Sequence, residues 1–459
     1  MKNKNENFDI LVSSVRRYIN TGAKTRLWNF LSKLRAEDIA YIFDRLVFEN
    51  KEILFDLLKT KDIEKLATVL SEIDTEDAVK LLKNLEPKEI SLILNKFSSD
   101  DAVDLLSHFP EDIKEKIIKC MSKEESEDVK ELLQYEEDTA GRMMSTDFYA
   151  LEENTRISDA VAAIQLAADV EIPFYLYVVD ENNRLTGVVS LKKLLLFPPS
   201  TKLKDIMLKD PIFVKTDTDQ EQVAKKVARY NLVAIPVVDD ELHLVGVITV
   251  DDVLDIINEE ATEDIYKMAG VVSGERIQDP LPESLKKRLP WLLLALLTTF
   301  FSAIVITMFE GVIKDVIVLA ALMPLVAALG GVAGNQTNAV VVRELSIADF
   351  DWKIGKRLLI KHSFLGLLLG IIVGTFGAIF IDLAYKLLGK PIEPITLLIF
   401  GLGISINIIN GLLMGTIIPM SFKVSGIDPA LSSNMFVSMF TDTFGFFIFL
   451  QLAKAFYHV

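Results

Sequence analysis

Hydrophobic and polar positions follow several different rhythms along this chain. Over 74–133 the pattern repeats every 12 residues: DTEDAVKLLKNL, EPKEISLILNKF, SSDDAVDLLSHF, PEDIKEKIIKCM, SKEESEDVKELL. Each repeat opens on a capping-type residue or Pro followed by acids, as a helix start should. Apolar residues then recur at helical spacing, as in Val103, Leu105, Leu106 and Phe109. A helix this short cannot bury its apolar face alone, so residues 1–134 are expected to stack as a small all-α solenoid.

A second rhythm follows over 135–256. YLYVVDENNRLTGVVSLKKLL (175–195) matches AIPVVDDELHLVGVITVDDVL (234–254) without a gap, at an offset of 59 residues. Each copy predicts strand, turn, strand and helix start, preceded by a helical segment, which makes a tandem α/β pair. The segment 257–285 begins as an acidic connecting helix. Asp251, Asp252, Asp255, Glu259, Glu260, Glu263 and Asp264 fall close together, several at i, i+4 spacing. Like charges so placed cost a few tenths of a kcal/mol per pair unless a cation screens them. Hard divalent ions take oxygen ligands, so the run is a candidate Mg²⁺ or Ca²⁺ cluster, with plain solvated charge as the alternative.

From 286 to 459 apolar runs of spanning length lie near 289–309, 316–342, 358–385, 394–420 and 430–456. The fold class expected is a multidomain membrane protein: helical solenoid, tandem α/β pair and an α-helical domain of five spans. Lys286, Lys287 and Arg288 precede the first span; Arg343, Lys353, Lys356, Arg357 and Lys361 lie between the second and third. That sorting puts the N-terminus in the cytoplasm and the C-terminus outside. MKNKNENFDILVSSVRRYI lacks a small-residue cleavage site and a proper apolar core, so no signal peptide is expected. The second span is odd: Pro324, Gly330, Gly331 and Gly334 lead into Asn335, Gln336, Thr337 and Asn338. Gly- and amide-rich backbone inside a span suits a water-lined path or burial in protein, and offers carbonyl and side-chain oxygens to a hydrated cation. Gly366, Gly370 and Gly374 in the third span predict close helix contact. Asn407 and Asn410 in the fourth are expected to bond between helices, with lining the path as the alternative.

Charge sharpens the division. From Lys286 onward 13 Lys and Arg face 9 Asp and Glu, which leaves residues 1–285 at net −20 within a chain of net −16. So acidic a front half repels nucleic acid and anionic lipid and attracts cations. The rim formed by Asp74, Glu76, Asp77, Asp100, Asp101 and Asp104 reads equally as solvated face or as cation site. One Cys and four scattered His exclude a disulfide framework, a thiolate cluster and an imidazole-rich metal centre. No nucleophile–base pair, zinc motif or Walker loop appears, so an enzyme is not expected.

The candidate chemistry concentrates on Asp442, which sits inside the last apolar run beside Ser438, Thr441 and Thr443. An aspartate at mid-bilayer costs roughly 2.5–3.5 kcal/mol on insertion scales, so an ion or proton path is the default reading. The bland alternative is an aspartate paired with a base on another helix.

The tandem pair resembles CBS domains, which often bind adenine nucleotides. The family pattern of Gly, two apolar residues, Ser/Thr, two residues and Asp stands as Gly246, Thr249 and Asp252 in the second copy. In the first it reads Gly187, Ser190 and Lys193, which lacks the ribose carboxylate. The order of segments, together with GGVAGNQ, YEEDTAGRMM at 135–144, TVDD…EEATEDI and the final TDTFG, resembles the MgtE family of magnesium channels over essentially the whole chain. The resemblance implies a homodimer in a bacterial inner membrane that conducts Mg²⁺ down its gradient and is closed by cytoplasmic Mg²⁺. It implies a pore site at Asp442, accompanied by Asn335 and Gly334. It implies regulatory metal positions at Asp100, Asp104, Glu221, Asp252, Asp255, Glu260, Glu263 and Asp428, to which the acidic helix adds Asp251 and Asp264. It also implies an ATP site with Tyr175, Thr249 and Asp252. Thr68 and Asn231 stand where the family has acids, which weakens the expected bridge between stack and CBS pair, and Val332 stands where it often has Asn. A CBS-regulated transporter of Co²⁺, Mn²⁺ or an osmolyte is the competing reading; an osmolyte carrier would need aromatic or cationic contacts in the spans.

Overall fold

A computed structural model describes residues 2–166, 175–272, 274–275, 280–347, 352–431 and 434–457. The chain forms two compact units, residues 1–257 and 258–459.

The first unit begins with helices α1 (Lys2–Asn20), α2 (Lys24–Leu31), α3 (Ala36–Asp44), α4 (Phe48–Lys61), α5 (Ile63–Glu72), α6 (Thr75–Leu82), α7 (Pro87–Leu94), α8 (Ser99–Ser107), α9 (Glu111–Cys120) and α10 (Lys123–Leu132). The 12-residue repeats each yield one helix, α6 to α10. The caps explain why each starts where it does. Asp74 accepts from the amides of Glu76 and Asp77, Glu86 and Glu89 form a capping box, and Ser122 accepts from the Glu125 amide. Odd helices pack on odd (α3, α5, α7, α9) and even on even (α4, α6, α8, α10), the stacking of a solenoid. Asp74 and Asp77 of the expected acidic rim are structural: Asp77 also pairs at 2.5 Å with the buried Lys51.

Residues 135–144 then turn the chain into the tandem pair. Asp138 takes a left-handed φ of 59°, Gly141 lies too close to the Tyr135 ring for any side chain, and Arg142 donates to the Ser107 hydroxyl at 2.7 Å. The Ala140 and Gly141 amides, in the short helix α11 (Ala140–Met143), bond to the carbonyls of Thr218 and Thr216. The first copy comprises β1 (Ala150–Glu152), α12 (Ile157–Leu166), β2 (Tyr175–Val179), β3 (Leu185–Ser190), α13 (Leu191–Leu196), α14 (Leu203–Ile206) and β4 (Leu208–Lys209), in sheet order β1-β2-β3-β4. The second comprises β5 (Val214–Lys215), α15 (Gln220–Tyr230), β6 (Ala234–Val238) and β7 (Leu244–Thr249), in order β5-β6-β7. The 59-residue offset survives in detail. The register slips at Val178/Val179 and again at Val237/Val238. Across the local pseudo-dyad, the Leu185 amide bonds to the Leu242 carbonyl and the Leu244 amide to the Asn183 carbonyl. One apolar core runs from Val12 in α1 through the stack to Ile248 and Ile256, whereas the first copy has its own core around Leu176, Val178 and Val189.

The acidic helix α16 (Val250–Ala269) begins earlier and ends sooner than the connecting segment expected at 257–285. Its start follows directly on β7, where the Asp252 carboxylate accepts from the Thr249 amide at 3.1 Å. Residues 273 and 276–279 of that segment lie outside the described residues.

The second unit contains α17 (Leu281–Met308), α18 (Glu310–Asp315), α19 (Val318–Ile347), α20 (Trp352–Leu387), α21 (Pro394–Val424), a 3₁₀ turn (Pro429–Leu431) and α22 (Asn434–Tyr457). Among the described residues five helices, α17 and α19 to α22, are long and apolar enough to cross a membrane. Helix α21 is central, packed on α19, α20 and α22, while α17 packs on α22. Gly366, Gly370 and Gly374 do provide close contact: a Cβ at each would strike the backbone of Ile409, Ser405 or Gly401 on α21.

Candidate functional site

In the membrane unit, Asp442 sits half-buried on α22. Among the described residues nothing basic pairs with it, so the paired-aspartate alternative finds no support in this chain. Hydroxyls flank it along the helix. Thr443 meets Ser302 of α17 at 3.0 Å, the buried Thr441 donates to the Ser438 carbonyl, and a Cβ on Gly331 of α19 would lie 3.6 Å from the Thr441 hydroxyl. Helices α19 and α22 run antiparallel here, because Gly331 faces Ser438 and Thr441 while Gly334 faces Val437. Asn335, next to Gly334, is therefore displaced from Asp442 by roughly 9 Å of helix rise. Its Oδ1 is buried with no hydrogen-bond partner, an acceptor left open within the chain. Gly334 itself is buried at the crossing with Gly411, where a side chain would collide with Val437 and the Gly411 carbonyl. Asn407 is fully buried and donates to the Val326 carbonyl at 2.9 Å; Asn410 donates to Asn407 at 3.4 Å. Asn407 is thus a tie from α21 to α19, as expected, whereas the bond of Asn410 stays within α21.

In the first unit, α8 and the start of α16 bring carboxylates together. One Asp100 oxygen is buried without a partner. Burial, then the charge of Asp252, pushes the Asp100 carboxyl up to about 7; burial and the same neighbour push Asp101 up to about 6. Asp252 is itself raised by burial, partly relieved by its bonds from Thr249, and by Asp251 and Asp255. Asp104 is exposed and accepts from Thr75 at 3.0 Å. Glu221 lies on α15, paired with Lys225 of its own helix at 2.9 Å. One carboxylate that sequence alone did not single out, Glu72, lies near this group. Glu72, at the end of α5, is raised by burial and by the charges of Glu37, Asp255 and Asp251. It stands one turn beyond Thr68 on the same helix, and that i+4 spacing was the available signal. Asp101 joins the same face. No three Asp, Glu, His or Cys side chains among the described residues close into a direct metal cage.

In the second unit, Glu263 and Asp428 are bridged, and by a lysine. Lys267 donates to Asp428 at 2.7 Å and reaches Glu263 at 2.8 Å. Burial opposes its charge, but the bonds it donates to Asp428 and Glu263 outweigh that and hold the ammonium above its usual range. Glu260 and Asp264 share the same helix and are engaged in interactions of their own. Past α16, the buried Glu275 takes a bidentate pair from Arg288 at 2.7–2.9 Å.

The nucleotide candidates are only partly gathered. Thr249 bonds to Asp252 at 2.6 Å and to Asp251, whereas Tyr175 belongs to the other copy's sheet, at the edge of the core between them. Lys193, the counterpart of Asp252, is tied to the Ile206 carbonyl at 2.7 Å.

Comparison with known proteins matches the MgtE intracellular N domain to residues 27–138, CBS domains to 140–199 and 203–259, and a family described as divalent cation transporter to 323–452. The magnesium transporter MgtE of Thermus thermophilus is 34% identical over 333 residues, 71% of this chain and 72% of that one. The chain belongs to the MgtE family. MgtE of Bacillus subtilis is 31% identical over 342 residues, 74% of each chain. Among solved structures, the cytosolic domain of the Mg²⁺ channel MgtE in complex with ATP covers 53% of this chain and 99% of its own, at 34% identity and a TM-score of 0.50. The soluble part of a magnesium transporter matches over 55% of this chain, at 30% identity and the same TM-score. As a member of MgtE, the chain is a multi-pass divalent-cation transporter that carries a CBS pair.

Proposed function

We propose that this chain is a Mg²⁺ channel of a bacterial inner membrane, working as a homodimer with its N-terminus in the cytoplasm. The observation that carries the reading is Asp442: a half-buried carboxylate within a spanning helix, with no basic partner among the described residues. Its carboxylate and the open Asn335 acceptor face the water shell of the ion, and Gly334 lets α19 and α21 close up behind them. The driving force is ample. A membrane potential of 100 mV, negative inside, favours entry of a doubly charged ion by about 4.6 kcal/mol, so no nucleotide hydrolysis is needed.

Closure comes from the acidic faces. Mg²⁺ at Asp100, Asp251, Asp252 and Asp255, with Glu72 and Asp101 added, relieves a repulsion that burial magnifies. Asp104 and Glu221 form the outer edge of that field, and Glu260, Glu263, Asp264 and Asp428 supply a second. The residues fit an ATP site poorly. Lys193 removes one ribose contact, and Asp252 is committed to Thr249 and the acidic face, so no step of gating is routed through a nucleotide.

The test is Mg²⁺ influx into proteoliposomes, comparing parent with Asp442→Ala while Mg²⁺ is titrated on the cytoplasmic face. Loss of influx in the variant and shut-off in the parent are expected. Influx that needs Asp442 but ignores cytoplasmic Mg²⁺ would keep the pore and overturn the sensor. No influx from folded parent would overturn both.

A further inference from the structure

Helix α20 carries a basic face whose chemistry the ion path does not use. Lys353, Lys356, Arg357 and Lys361 line, with Ile360, an open concavity of about 470 Å³. Their spacing of three and four residues puts all five on one side of the helix. The opposite side is occupied: Gly355 and His362 are buried, and His362 bonds to Thr416 of α21 at 2.8 Å. Among the described residues no carboxylate pairs with Lys356, Arg357 or Lys361. A topology signal needs only the number of cations; here they also share a face and a hollow. The same face runs on into the span as Phe364, Leu367, Leu368 and Ile371, all exposed, with Ile360 at the junction 63% exposed. Cations followed directly by bare apolar surface match a molecule with a charged head and a hydrocarbon tail. A soluble anion would use the first part and leave the second unexplained.

We propose that this face of α20 is a binding site for an anionic phospholipid, with its phosphate on Lys356, Arg357 and Lys361 and an acyl chain along Phe364 to Ile371. Juxtamembrane clusters of four or more Lys and Arg attract anionic headgroups. The proposal is independent of which ion crosses the membrane.

The experiment is native mass spectrometry of the full chain released from nanodiscs of equimolar phosphatidylcholine and phosphatidylglycerol. The parent should retain phosphatidylglycerol preferentially, and Lys356→Gln/Arg357→Gln/Lys361→Gln should lower that preference by roughly tenfold or more. Each single variant should lower it by a smaller step, which guards against a triple variant that fails to fold. Equal retention by parent and variants would overturn the proposal. So would displacement of the lipid by millimolar inorganic phosphate, which would mark a soluble-anion site. Disulfide trapping of Ile360→Cys between two copies in the same nanodiscs would overturn it as well, since the face would then be covered by protein.

Discussion

Asp100 and Asp101 make acidity itself a variable of this molecule. Their folded carboxyls lie at about 7 and about 6 because burial and Asp252 disfavour the charged forms. A carboxyl raised on folding binds its proton more tightly in the native state, so its stabilising effect is full below the unfolded value near 4. That effect is lost as pH climbs through 6 and 7. The melting temperature of the full chain without Mg²⁺ should therefore fall between pH 5 and pH 8, by an amount of order a few kcal/mol in stability. Asp100→Asn should flatten most of that fall, and a flat parent profile would contradict the burial of the pair. A second prediction concerns Leu242, held at φ 69° where the first copy has Asn183 at 62°. A leucine in the left-handed region is strained, so Leu242→Asn should raise stability by about 1 kcal/mol, read by thermal unfolding. At this scale the sequence revealed which residues carry charge and concealed their company. Asp442 stood out because a carboxylate in an apolar run is costly wherever it points. Glu72 and Lys267 did not, because Asp251 and Asp255 for the one and Asp428 for the other lie far away in the chain.

Among the elements, α16 and the α19–α21–α22 contact decide most. Lys267 already bridges Glu263 and Asp428, so an arriving Mg²⁺ must compete with a tethered ammonium. Lys267→Gln should let closure occur at lower cytoplasmic Mg²⁺, by roughly three- to tenfold, as two carboxylates lose a competing charge. A shift to higher Mg²⁺ would instead show that the lysine is itself the closing cation. Helix packing makes a separate prediction. A side chain at Gly330 or Gly445 would strike the Asn407 amide, which holds Val326. Gly330→Ala should destabilise the membrane unit by about 1–3 kcal/mol, measured as detergent unfolding, through overpacking around a buried hydrogen bond. Elements were the most legible level of the sequence. The 12-residue rhythm gave one helix per repeat, and the 59-residue offset reappeared even in the position of the β-bulges. The limits of α16 were less legible, because its start is set by β7 and the Asp252 cap rather than by the acidic run.

For the molecule as a whole, the strongest asymmetry is net −20 on residues 1–285 against +4 on the rest. Mg²⁺ that binds only the folded acidic faces stabilises by about 2.7 kcal/mol at a hundredfold excess over its dissociation constant. This gain should be larger at pH 8 than at pH 5, where protons already occupy Asp100 and Asp101. Equal Mg²⁺ shifts in the full chain's melting temperature at both pH values would remove the carboxylates from the account. Segment order and span number could be read from periodicity, but the joining of the segments could not. The apolar core that begins at Val12 continues without a break to Ile248 and Ile256, while the first CBS copy keeps an interior of its own. The helical stack is thus no interchangeable cassette. A chimera that borrowed a relative's stack would bring mismatched apolar surface to the seam along Ala140 and Met144. One that borrowed only residues 150–206 would leave that seam whole.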